Sequence, residues 1–232
     1  MFQFNIEPRV AVATNMFALT FMSAGGSLPF LKSGEINRRR LPLLIALTLA
    51  GSLLGALLLL VIAARSVPVI VSVAMIGVAV FSLFYRRSGG PDSSLPASRR
   101  SEGLGYVLTF VLGVYGGFFS GGYVTLLTTA YVALFRLRFV EAVATTKLIN
   151  VFSSGIATLV FVRQHLVDYR LGGVLAIPMF LGAWAGGHMA RRLGDEWLKR
   201  IFLTAVWALG LKTLFYDVLA QHSASSRPES LP

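Results

Sequence analysis

One amine, Lys147, stands some five residues inside a stretch at 142–162 that is otherwise free of charge. An ammonium at that depth is costly in hydrocarbon and should face a cavity, a partner or a substrate. On a helix, Asn150 at i+3 and Ser154 at i+7 share its face, and Thr145 and Thr146 flank it. A positive charge backed by hydroxyl and amide donors is a way to hold a small anion. The plainer alternative is a lysine that snorkels back to the interface from the helix start. A second candidate is the break Gly116-Gly117-Phe118-Phe119-Ser120-Gly121-Gly122. There Gly117, Gly121 and Gly122 let backbone amides approach a ligand, and a half-helix starting near Ser120 aims its positive dipole end at an anion. Glycine suits a kink with close helix packing equally well.

Other chemistries find little support. The chain has no cysteine, so disulfides and thiolate metal sites are excluded. His165, His188 and His222 are far apart in sequence, with no carboxylate arrangement that reads as a metal site or a triad. Glu141 and Asp168 fall at span ends, where a carboxylate can be solvated. No G-x-x-x-x-G-K-[ST] loop is present to bind a nucleotide. No catalytic residue, metal site or cofactor is expected, and the chain reads as a non-enzyme.

The elements that must position these groups are membrane helices. Of 232 residues, 55% are hydrophobic and 13% are charged, about half the charge a soluble domain carries. Stretches 10–31, 41–64, 66–85, 103–135 and 171–190 hold no Asp, Glu, Lys or Arg. Each reaches the roughly 20 residues that cross a bilayer core. Stretch 142–162 holds one lysine, and stretch 197–215 is apolar apart from Lys199 and Arg200 at its start and Lys212 near its end. The net charge of +11 sits at span ends and sets orientation, so nucleic acid is not an expected partner. The bilayer is the partner.

A shift of 131 residues superimposes the two halves without a gap. Ala11-Val12-Ala13-Thr14 falls on Ala142-Val143-Ala144-Thr145, Gly51 and Gly55 on Gly182 and Gly186, and Leu83-Phe84-Tyr85 on Leu214-Phe215-Tyr216. The repeats are residues 1–86 and 103–219, separated by a polar linker at 87–102 and followed by a polar tail at 220–232. Three helices near 10–31, 41–63 and 67–86 match 141–162, 171–192 and 197–218. Segment 103–135 has no counterpart, so the first repeat reads as lacking its opening segment, through a deletion or, preferably, a misplaced start. Lys147 has Met16 as its mate, and Asn15 is the nearest polar group in the first repeat. Asn15 therefore joins the candidate anion site.

Segment 103–135 is too long for one span of a core about 30 Å thick without heavy tilt. As a hairpin of two short helices it puts fourteen Lys and Arg on one side and five on the other. As a single span it divides them eleven to eight. The positive-inside rule favours the hairpin. The expected fold is then all-α and polytopic, with about 7–8 membrane segments in two inverted repeats. Such repeats are a common transporter architecture with the substrate near the midplane.

Gly113-Val114-Tyr115-Gly116-Gly117-Phe118-Phe119, with Glu141-Ala142-Val143-Ala144-Thr145-Thr146-Lys147-Leu148-Ile149-Asn150, resembles the second-half signature of the TauE/SafE family of sulfite exporters and sulfonate permeases. Pro8-Arg9-Val10-Ala11-Val12-Ala13-Thr14-Asn15 is similar to the first-half version. The resemblance covers nearly all of residues 8–218. Members typically open with a further glycine-rich segment before that first motif. It implies transport of sulfite, thiosulfate or organosulfonates across a bacterial inner membrane. The residues themselves select an anion but not sulfur, since a carboxylate or phosphate would suit them too. A secondary carrier is the leading reading; the alternative is a non-transporting assembly or partner subunit.

The inverted arrangement predicts that single cysteines replacing Arg39 and Gln164 react with an impermeant thiol reagent from opposite faces of the membrane. Labelling of both from one face would refute the hairpin and the inversion together.

Overall fold

The structure, a computed structural model, describes residues 6–31, 38–67 and 98–193, with single positions at 34, 36, 69, 70, 73, 197, 200 and 204. The expected third helices at 67–86 and 197–218 and the tail at 220–232 lie almost wholly outside the described residues. Within them every regular element is helical. The helices are α1 (Pro8–Ser27), α2 (Leu41–Val61), α3 (Arg99–Phe118), α4 (Tyr123–Leu134), α5 (Phe139–Arg163) and α6 (Tyr169–Arg192).

Local signals explain where these helices begin. Proline opens α1 and α2, where its missing N–H has no helical partner to lose. Ser98 caps α3 by accepting the Ser101 amide at 3.2 Å, so α3 starts before the apolar run at 103. The run marks where hydrocarbon begins, whereas the cap marks where hydrogen bonding begins. Glu141 accepts the Arg138 amide at 3.2 Å and fixes the start of α5. Asp168 accepts the Leu171 amide at 3.0 Å and fixes the start of α6.

Burial is distributed as a lipid solvent demands. Leu54, Leu57 and Leu58 of α2, Val107 and Val111 of α3 and Val174, Ile177 and Leu181 of α6 point outward, while Thr14, Ser23, Thr48, Ser52, Thr109, Asn150, Ser153 and Ser154 are buried. Hydroxyls and amides have no water to meet on the outside and turn inward to one another. Among the described residues α2, α5 and α6 are each long and apolar enough to span a membrane.

Contacts fix the directions. Thr20 of α1 meets Thr158 of α5 at 3.1 Å, and Asn150 of α5 donates to Ser23 of α1 at 2.6 Å, so these two helices run antiparallel. Gly172 lies against Phe17 and Gly187 against Pro29, so α1 and α6 run parallel. Arg40 pairs with Glu102 at one end of α2 and α3, and Gly55 meets Val114 and Phe118 further on, so these are parallel as well. α3 and α4 form an antiparallel hairpin: Ser101 donates to the Leu134 carbonyl at 2.6 Å, Thr109 meets the Tyr131 hydroxyl at 3.2 Å, and Gly116 lies under the Tyr123 ring. Its first leg, at 20 residues, is longer than a short half-helix; only the 12-residue return leg is short.

These directions sort the arginines. Arg38, Arg39, Arg40, Arg99, Arg100, Arg136, Arg138, Arg191 and Arg192 lie at the end of the bundle where α2, α3 and α5 begin; Arg9, Arg65, Arg163 and Arg170 lie at the other. An excess of Lys and Arg at one end is the asymmetry that orients a membrane protein.

The tightest contact joins α2 to α3. A Cβ on Gly55 would stand 2.0 Å from the Val114 carbonyl oxygen, and one on Gly51 2.5 Å from that of Phe110. Their repeat mates Gly182 and Gly186 have nothing among the described residues within 4 Å. Gly55→Ala is expected to lower stability by about 1–3 kcal/mol or more, because two backbones must separate. Gly155→Ala, whose new methyl meets nothing closer than 4.0 Å, should be neutral or gain up to about 1 kcal/mol from helix propensity. Thermal denaturation of the two variants in detergent measures the contrast.

Candidate functional site

α5 carries the polar residues of the bundle interior, and its neighbours divide them by face. Toward α4, the Thr146 hydroxyl donates to the Val143 carbonyl at 3.1 Å and accepts from Thr128 at 2.9 Å. Toward α1, the Asn150 amide donates to Ser23 at 2.6 Å, and Ser154 donates to the Asn150 carbonyl at 2.6 Å. Ser23 and Ser154 are repeat mates, and both are buried where α1 and α5 cross.

Lys147 lies on the α1-facing stripe with Asn150 and Ser154. A Cβ on Gly26 would stand 3.4 Å from the Lys147 Cδ and 3.5 Å from the Ala183 Cβ. The absent side chain at Gly26 thus leaves the lysine stem a path between α1 and α6. Among the described residues Lys147 has no ion-pair or hydrogen-bond partner. Glu102 is engaged with Arg40 and Glu141 with Arg138, both at the arginine-rich end. Two polar atoms of α5 are buried without a hydrogen-bond partner among the described residues: the Thr145 hydroxyl and the Asn150 Oδ1. Leaving a buried polar group unmatched costs about 1–3 kcal/mol. One amide oxygen and one hydroxyl are thus unmatched on the helix that carries Lys147.

The sequence is that of a sulfite exporter family from end to end of this arrangement: the description Sulfite exporter TauE/SafE matches residues 1–213. The chain belongs to the TauE/SafE family. It is 28% identical over 214 residues to "Probable membrane transporter protein YfcA" of Escherichia coli K12, covering 91% of this chain and 78% of that one. It is 26% identical over 212 residues to "Probable membrane transporter protein ORF9" of a Sinorhizobium species, covering 90% and 79%. It is 24% identical over 235 residues to "Probable membrane transporter protein YunE" of Bacillus subtilis, covering 93% and 84%. No solved structure matches the chain. Family and relatives alike describe a membrane transporter rather than an enzyme.

In this TauE/SafE chain the residues singled out by sequence do not all converge. Lys147, Asn150 and Ser154 share one face of α5, Thr146 turns to Thr128 of α4, and Thr145, two residues from the lysine, lies on nearly the opposite side of the helix. Asn15 does not join them. Lys147 meets α1 at Gly26, and the eleven residues back to Asn15, at about 1.5 Å each, span about 16 Å. Repeat mates on antiparallel helices meet only at the crossing and lie farther apart with distance from it, so being next to Met16, the mate of Lys147, puts Asn15 far from Lys147 in space.

The glycine break is also set apart. Tyr123, just after it, reaches Ser153, six residues or about 9 Å along α5 from Lys147. Gly117 is packed against Ser52, where a Cβ would stand 2.1 Å from the backbone oxygen. The Gly121 carbonyl accepts from the Tyr115 hydroxyl, and Gly122 takes φ 75°, a left-handed turn that starts α4. Ser120 is half-buried, and its carbonyl accepts the Tyr123 amide at 3.2 Å.

Ser23 and Gly26 were not legible as site residues from the sequence pattern. Their signal was the run of small residues Ser23-Ala24-Gly25-Gly26-Ser27 at the end of α1. Replacing Asn150 with Ala removes its bond to Ser23 and leaves that hydroxyl buried, for an expected loss of about 1–3 kcal/mol. Ser23→Ala should cost a similar amount, and the double variant less than the sum. Thermal shifts of the purified single and double variants test this.

Proposed function

We propose that this chain is a secondary carrier of the bacterial inner membrane that moves small anions, sulfite, thiosulfate or organosulfonates, by alternating access. The observation that carries the reading is Lys147: an ammonium within the bundle, unpaired among the described residues, on the helix that also holds the unmatched Thr145 hydroxyl and Asn150 amide oxygen. A tetrahedral or pyramidal oxyanion offers several acceptor oxygens to the three N–H groups of lysine and to a hydroxyl. The Ser23 hydroxyl engages one half of the Asn150 amide in either orientation, which leaves the other half for the ligand. Sulfur enters through the family description and not through this geometry.

Alternating access is supported by an inverted-repeat reading of the fold. α1 and α5 are mates under the 131-residue shift, and they cross antiparallel. α1 packs along α6, and α5 packs along α2 through Ser153 and Ser52 at 2.7 Å, so each repeat's first helix lies against the other repeat's second. Two such halves can rock about a crossing without rebuilding either one. The crossing is where the anion set lies.

Lys147→Ala is expected to abolish sulfur-anion flux, with at least about a hundredfold loss, while insertion and expression stay intact. Lys147→Arg should keep measurable flux, because charge and donors remain but the planar fork does not follow the lysine's path. Flux in vesicles, normalised to inserted protein, decides it. Unchanged transport in the alanine variant would sink the site.

A further inference from the structure

A second polar cluster lies apart from Lys147 and is built from oxygen alone. Thr48 and Ser52 are one turn apart on α2, Tyr123 opens α4, Ser153 is on α5, and the Gly113 carbonyl comes from α3. All four side chains are at most 1% exposed. Ser52 donates to the Gly113 carbonyl at 3.0 Å, so the 2.7 Å contact between Ser52 and Ser153 must have Ser153 as donor. The Tyr123 hydroxyl lies beside Thr48 and Ser153. Its oxygen and that of Thr48 are both buried without a hydrogen-bond partner among the described residues.

We propose that these five oxygens bind an alkali-metal cation, and that this cation is the coupling ion of the carrier. The coupling rests on the carrier reading above; the binding does not. Every member of the cluster offers lone pairs, and the Gly113 carbonyl offers nothing else, which suits a cation better than an anion. α3 ends one turn later at Phe118, so the negative end of its dipole lies beside the cluster. Calcium and magnesium sites are built around carboxylates, and no carboxylate is in the cluster. A monovalent ion can be held by neutral hydroxyls and carbonyls next to an interrupted helix, the arrangement in which transporters carry their driving ions.

The two sites have a physical reason to communicate. Lys147 is six residues from Ser153, about 9 Å along α5, and its charge opposes a cation at that distance. An anion bound at Lys147 removes that opposition. Anion and cation then bind more tightly together than apart, by the same factor in each direction.

The test is thermal denaturation of purified protein in detergent without any sulfur anion. LiCl, NaCl and KCl are each titrated against choline chloride at constant ionic strength. At least one alkali ion is expected to raise Tm saturably above choline. Thr48→Val, Ser153→Ala and Tyr123→Phe should each weaken that ion's apparent affinity at least tenfold. Tyr123→Phe retains the ring that packs on Gly116, so it preserves the fold if the others do not. Titrations indistinguishable from choline, or an unchanged response in Tyr123→Phe, would overturn the cation site and leave the anion carrier standing. A saturable alkali shift in a protein that moves no sulfur anion would do the reverse.

Discussion

Helices in hydrocarbon gain nothing from burying leucine against leucine, because lipid offers the same contact, so their closeness has to come from backbone fit and internal polar bonds. In this bundle that requirement is met first between α2 and α3. Gly51 and Gly55 on one side, and Gly113 and Gly117 on the other, bring main chain against main chain. The approach puts Ser52 within 3.0 Å of the Gly113 carbonyl. Ser52 then holds Ser153, and through it α5, at a fixed height. Lys147, Asn150 and Ser154 inherit their positions from that register. A bulkier residue at the glycines would displace the hairpin, and the hairpin carries Tyr123 and Thr128 to α5.

The same economy explains why the interior is polar. Hydroxyls along α5 bind one another or α1, α2 and α4, and most are matched. Among the described residues the exceptions, apart from the Arg9 Nε, are Thr145 and Asn150 on the helix of Lys147 and Thr48 and Tyr123 in the second cluster. A protein that needed only to stay folded would gain by replacing those groups with apolar ones of the same shape. Their presence in a member of the TauE/SafE family is the ground of the proposed carrier and of its cation site. The oppositely directed α1 and α5 cross at Asn150 and Ser23, and Ser153 of the second cluster is on α5 as well, so motion at the crossing would be felt by both sets.

Much of this was visible in the sequence, for reasons that can be named. Uncharged runs marked α1, α2 and α6, and a run with a single lysine marked α5, because hydrocarbon thickness dictates their length. The glycine break in 103–135 and the arginine distribution together marked a turn, and the chain does reverse after Phe118. The shared face of Lys147, Asn150 and Ser154 followed from helix periodicity alone. What sequence could not supply was the partner across each face. Asn15 looked close to Lys147 through the repeat, but mates on antiparallel helices are carried apart. Ser23 and Gly26, which do meet the α5 stripe, carry no charge and no distinctive spacing. Gly117 read as equally suited to a ligand or to packing, and only the approach of Ser52 shows what presses on it.

The central claim is that the bundle moves a small anion through the Lys147 set. It is tested most directly by reconstituting the purified wild-type chain in liposomes and following uptake of sulfite and sulfoacetate beside a carboxylate of similar size. Saturable uptake of a sulfur anion, competed by the other and weakly or not at all by the carboxylate, is the predicted result. Well-folded protein that shows no uptake above empty liposomes, or uptake of the carboxylate alone, would contradict it.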